Sequence, residues 1–256
     1  MTSRLHIFIF AIAAATTAGV FAAAGSENSA PRMWPLDVRI NLSSSFAEFR
    51  PGHLHAGLDI RTFGREGIPC LAVDDGYVSR LRASHFGYGK AVYLKLASGE
   101  TIVYAHLAEY SARIDSAIYD AQLRSNRYRV DIYPDPADLP VKRGEIIGYT
   151  GRTGTVAPHL HFEVRNEREQ PINPLDVGWE LPDTIPPLLR RIKWYPLTKE
   201  SRVNGWCSAD VARLTQVGST TCASVDTMEV EGSVGLAVDV IDRLSTSSGK
   251  LAPYRV

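Results

Sequence analysis

Three short stretches of this 256-residue chain place histidine in company that can do chemistry. In "HAGLD", His55 and Asp59 flank Gly57; in "VYAHL", His106 closes a strand-like run; in "PHLHFEVR", His159 and His161 are separated by one residue. A β-strand sends alternate side chains to one face, so His159 and His161 point the same way, and Leu160 and Phe162 point the other. A catalytic zinc site takes three nitrogen or oxygen ligands and keeps one position open for water. His55, Asp59 and one histidine of the HLH pair supply that set. One carboxylate and two neutral imidazoles leave such an ion at about +1, enough to acidify bound water and polarise a carbonyl. The second histidine of the pair lies roughly 7 Å along the strand. It therefore sits beside the ion, outside its ligand set. His106, arriving from an adjacent strand, would give two imidazoles to handle the proton and the oxyanion. Of the other histidines among the seven, His6 falls in the leader, and His53 and His85 read as solvated loop residues.

Positioning these groups requires strands, and the sequence supplies them. From Trp34 to about Phe162, short apolar and β-branched runs alternate with glycine turns: "LAVDDGYVSRL", "KAVYLKL", "TIVYAHL" and "EIIGYTG". "LASGETI" reads as a hairpin between two of them. The expected fold is mainly β, a compact antiparallel domain over residues 35–180. Residues 111–140 differ: Ile114, Ile118 and Ala121 keep helical spacing before a proline-rich loop, which predicts an inserted helix and loop at the rim of the sheet. Prolines between Pro174 and Pro187 break regular structure, and strand-like runs resume at "RIKWYPL". Residues 181–256 are expected to begin a second β domain, sandwich-like and left incomplete.

The first 24 residues combine Arg4, an apolar stretch from Ile7 and an Ala22-Ala23-Ala24 end, the layout of a secretory signal peptide, with residues 25–34 as linker. The expectation is an exported protein of the periplasm or cell envelope with no membrane span after cleavage. The chain holds 28 basic and 28 acidic residues, which speaks against nucleic acid or a polybasic membrane surface as partner. Cys70 reads as a buried small hydrophobe, while Cys207 and Cys222 flank a polar loop and could pair in an oxidising compartment. No CxxC spacing supports a thiolate zinc site.

The motifs together resemble the lysostaphin-type (LytM-like) zinc metalloendopeptidases of peptidoglycan. That family's signature is HxxxD, then a single histidine, then HxH. "GIPCLAVDDGYVSRL" and "VKRGEIIGYTGRTG" are similar to its flanking strand and glycine-rich lead, so the resemblance covers about residues 35–176. It implies the duplicated hybrid motif type of antiparallel β fold, with an open groove. It also implies zinc held by His55, Asp59 and His161, with His106 and His159 as the catalytic pair acting on peptidoglycan stem or cross-link peptides. Two departures stand out. "FAEFR" carries Ala47 where many members have glycine, which puts the local turn in question. The insertion after His106 is longer than in compact members and is expected to shape one groove wall. A monomer is favoured. The alternative reading is a non-catalytic regulator of another wall hydrolase, whose mark is missing ligands; here all five positions are intact. Arg50 and Tyr88 are candidates for substrate contact or for structural roles in turns, and Tyr104 either lines the groove or packs.

Overall fold

The computed structural model describes residues 12–13, 32–181, 183–218, 221–224, 226–245 and 251. Apart from residues 12 and 13, the predicted leader lies outside the described residues, as does the linker up to residue 31. The described chain divides into two compact units, with the break between Asp183 and Thr184, inside the proline-rich stretch.

The first unit is built on an antiparallel sheet. Among its strands are β1 (Leu42–Ser44), β2 (Leu58–Arg61), β3 (Gly76–Ala83), β4 (Lys90–Leu96), β5 (Thr101–Tyr110), β6 (Val130–Ile132), β7 (Ile146–Thr150) and β8 (His159–Arg165). Neighbours run in the order β6-β3-β4-β5-β8-β2-β1, and β7 pairs with β5 off this path. The expected β4–β5 hairpin forms, turning at Gly99 with φ +88°. Period-two patterning decides which face of each strand is apolar. On β2 and β8 the even positions Leu58, Ile60, Leu160, Phe162 and Val164 are fully buried. Phe162 meets Tyr104 edge-on with ring centroids 5.9 Å apart and Trp179 at 5.3 Å. Each such side chain contributes about 1.5–3 kcal/mol by leaving water. The sheet is thus anchored from one face, and the odd positions are left to carry polar groups.

Pairing then sets the register. Asp59 stands directly opposite His161 across β2 and β8, and His161 opposite Ala105 across β8 and β5. Side chains so opposed have Cβ atoms about 5 Å apart. Gly57 allows that approach, because a Cβ there would lie 2.3 Å from the Phe162 carbonyl oxygen. Gly57→Ala should therefore force β2 away from β8 and cost about 3 kcal/mol, read as a lowered midpoint in denaturant unfolding.

The insertion forms α1 (Ala112–Ser125), burying Ile114, Ile118 and Ala121 as the spacing predicts. It ends where Asn126 turns left-handed at φ 50°, a conformation asparagine tolerates. The helix packs on β5, β6 and β3. β6 and β3 lie at the edge of the sheet away from β2 and β1, so the insertion sits at the rim as expected. Beyond the helix, the Tyr128 ring stacks on that of His85 with centroids 4.2 Å apart.

In the second unit β9 (Leu188–Pro196), β10 (Asp210–Gln216), β11 (Thr221–Ser224) and β12 (Val234–Ile241) are ordered β11-β10-β9-β12. Ile192, Trp194, Val203, Ala212, Met228 and Val230 form its core cluster. Cys207 is exposed, Cys222 half-buried, and both are free thiols, so the pairing that their spacing allowed does not form. Cys70 is buried as expected.

Candidate metal centre

His55 arrives from the loop ahead of β2. Its backbone N–H donates to the Glu48 carbonyl at 2.8 Å, and its carbonyl accepts from Ala47 N–H at 2.8 Å. Ala47 makes that contact at φ 59°, the left-handed region glycine occupies at little cost. The turn questioned on sequence grounds therefore forms with alanine in it.

Three donor atoms converge in the space between this loop, β2 and β8. His55 Nε2 lies 3.0 Å from Asp59 Oδ1 and 3.0 Å from His161 Nδ1, and His161 Nδ1 lies 2.9 Å from Asp59 Oδ1. All three residues are buried. Each imidazole has its other nitrogen against an acceptor: His55 Nδ1–H donates to the Ser45 carbonyl at 2.7 Å and His161 Nε2–H to Glu163 Oε1 at 2.9 Å. Those bonds assign the tautomers and leave two lone pairs and a carboxylate oxygen facing one another. Such a set calls for a proton or a cation between its members. Without a cation, the His161 proton is retained up to a pKa of about 9: burial would lower that value, but hydrogen bonds to Asp59 and Glu163 outweigh it. Asp59 is held well below the ordinary carboxylate range, burial being outweighed by hydrogen bonds from His159, His161 and His55. The donor set fits zinc in kind and in spacing, since ligands bonded tetrahedrally at 2.0–2.1 Å stand roughly 3.3 Å apart.

His106 and His159 flank this triad. His159 Nδ1–H donates to the Ala157 carbonyl at 2.9 Å, turning Nε2 toward Asp59 Oδ1 at 3.5 Å. His106 Nδ1–H donates to the Thr153 carbonyl at 2.9 Å, and its ring meets that of His159 edge-on at 4.7 Å. Burial first of all lowers the His106 pKa to about 4. Its backbone is left-handed at φ 62° in the middle of β5, where the ladders to β4 and β7 slip register. A non-glycine residue held this way costs about 1–3 kcal/mol and persists because its surroundings fix it. Thr153 supplies that fixing, its Oγ1 bonding Lys90 N–H at 2.9 Å and the Leu107 carbonyl at 2.7 Å.

All five histidine and aspartate positions picked from the sequence thus come together. Arg50 and Tyr88 are taken up within the site: Arg50 Nη2 donates to Asp59 Oδ2 at 3.1 Å, and the Tyr88 hydroxyl donates to Glu163. Tyr104 is fully buried, its hydroxyl accepting from Val73 N–H at 3.1 Å, so it packs. His53 and His85 are exposed. Glu163 and Arg165 went unselected in the sequence, although the alternation that joins His159 to His161 continues through both.

Residues 136–174, which include β8 and the HxH pair, match the model of Peptidase family M23. The chain is 33% identical over 131 residues to the DD-carboxypeptidase/endopeptidase Mpg of Neisseria meningitidis serogroup B, the match covering 51% of this chain and 24% of Mpg. It is 29% identical over 114 residues to lysostaphin of Staphylococcus simulans, covering 44% of this chain and 18% of that protein. The matched stretch spans about a quarter or less of these relatives' own length. The catalytic domain of the prophage-encoded M23 protein EnpA from Enterococcus faecalis is 26% identical with a TM-score of 0.39, over 53% of this chain and 88% of that one. Among the described residues no helix is long and apolar enough to cross a membrane, which says nothing of β-barrels.

Proposed function

We propose that this chain is an exported, zinc-dependent endopeptidase that hydrolyses peptide bonds in peptidoglycan stem or cross-link peptides, with residues 35–180 as the peptidase domain and the segment from 181 as a second β domain. The observation that carries the reading is the convergence of His55 Nε2, Asp59 Oδ1 and His161 Nδ1 within 3.0 Å of one another, with two further imidazoles alongside. His55, Asp59 and His161 would hold the ion. When bound, zinc supplies Lewis-acid polarisation of a carbonyl and a lowered pKa for water.

The rest is the work of the chain. Because Ala157 and Thr153 occupy the Nδ1–H groups of His159 and His106, both rings present Nε2 lone pairs beside the triad. They are suited to receive a proton from the attacking water and return it to the leaving amine. Burial keeps His106 neutral at pH 7 and so able to accept. Arg50, bonded to Asp59 Oδ2, leaves Oδ1 as the oxygen that faces the two histidines. The intact set of five residues favours hydrolysis over a purely regulatory role.

Digestion of purified peptidoglycan by the purified chain, followed by separation of the released muropeptides, checks this. Cleavage of stem or cross-link peptide bonds is expected, abolished by a zinc chelator and restored by added zinc. Zinc-loaded protein that leaves every peptide bond intact would refute the enzymatic reading.

A further inference from the structure

Glu163 takes no part in the proton traffic above, yet it is fully buried. A carboxylate withdrawn from water is costly unless its oxygens are bonded. Here both are. Oε1 accepts from His161 Nε2–H at 2.9 Å and from the Tyr88 hydroxyl; Oε2 accepts from Arg165 Nε at 2.8 Å, with Arg165 Nη2 at 2.7 Å. Arg165 Nη2 also lies 3.4 Å from the Tyr88 hydroxyl, and its guanidinium sits over the Tyr93 ring at 5.5 Å. The Tyr88 ring itself leans on His161, with centroids 5.4 Å apart.

We propose that Glu163, clamped by Tyr88 and Arg165, is a positioning residue that fixes His161 in the tautomer and ring orientation that turn its Nδ1 lone pair toward His55 and Asp59. A histidine with no partner at Nε2 can shift its proton to Nδ1, or flip its ring and put a carbon where the ligand atom belongs. An anionic acceptor locked at Nε2 opposes both and raises the basicity of the opposite nitrogen. The clamp extends the polar face of β8, so a run of alternate residues, His161, Glu163 and Arg165, forms ligand, orienter and counter-charge in one strand. Tyr88 adds a brace from the loop between β3 and β4. The inference rests on the zinc-site reading above.

The test compares the whole chain with Glu163→Gln and Tyr88→Phe by chelator competition for zinc and by ¹⁵N NMR of the His161 ring. Glu163→Gln keeps the shape and an amide oxygen but removes the charge; Tyr88→Phe removes one hydroxyl and leaves the buried carboxylate. Glu163→Gln should bind zinc about 10–100-fold more weakly. Tyr88→Phe should bind it a few-fold more weakly. In the zinc-free state, taken at a pH above about 9 where the His161 ring holds a single proton, both should show His161 with a mixed tautomer, where the parent carries that proton on Nε2. If Glu163→Gln fails to fold, the Tyr88→Phe result decides. Variants matching the parent's zinc affinity within twofold, with His161 protonated on Nε2 throughout, would overturn the positioning role while leaving the zinc site standing. A parent that binds no zinc would instead overturn the site reading, and this inference with it.

Discussion

Asp59→Ala should strip the chain of zinc and end peptide hydrolysis. Asp59 is the only anion among the three converging donors, and it stands across the β2–β8 pairing from His161. Its loss reduces the protein ligands from three to two and raises the net charge at the ion by one. It also leaves the Arg50 guanidinium, now bonded to Asp59 Oδ2, turned toward a cation. Changes one shell further out already cost zinc sites about 10–100-fold in affinity, so removing a ligand should cost at least about 100-fold, or roughly 2.7 kcal/mol. Metal analysis after gel filtration should find well under one zinc per chain. One full equivalent retained by the variant would exclude Asp59 as a ligand.

His159→Ala should separate chemistry from binding. His159 pairs with Arg61 across the sheet, one step along from the Asp59–His161 pair, and its Nε2 stands at 3.5 Å from Asp59 Oδ1 against 2.9 Å for His161 Nδ1. It is also the more exposed of the two rings, 15% against 7% for its side chain, as suits a group that meets substrate. Removing a general acid or base typically costs 10²–10⁴-fold in rate. The variant should therefore lose about that much kcat while holding zinc within a few-fold of the parent. Loss of zinc with His159→Ala would show that the two histidines have exchanged roles.

Much of this site is legible in the sequence because a strand has a period of exactly two. "HLHFEVR" alternates polar and apolar, and the apolar half, Leu160, Phe162 and Val164, is what fixes the polar half in place. The same period carries Glu163 and Arg165, but glutamate and arginine at a strand's end read as ordinary solvated residues until burial is known. Long-range pairing is what the sequence conceals. That Asp59 faces His161 depends on register between segments about a hundred residues apart, and that Arg50 turns inward to Asp59 depends on the hairpin Phe49–Leu54 folding against β2. The left-handed backbone of His106 has no local signal, since it arises from slipped ladders on both sides of β5. The helix of the insertion and its place at the rim are legible from three apolar positions and the loop that follows, whereas the strands it packs on are not. Helical spacing reports which face is buried and says nothing of the strand that buries it.

The most direct test of the account is an anomalous-difference map at the zinc absorption edge from crystals of the chain grown with one equivalent of zinc. A single strong peak is expected about 2.0–2.2 Å from His55 Nε2, Asp59 Oδ1 and His161 Nδ1. A peak bonded to His106 or His159 in place of His161, or no peak among these residues, would contradict it.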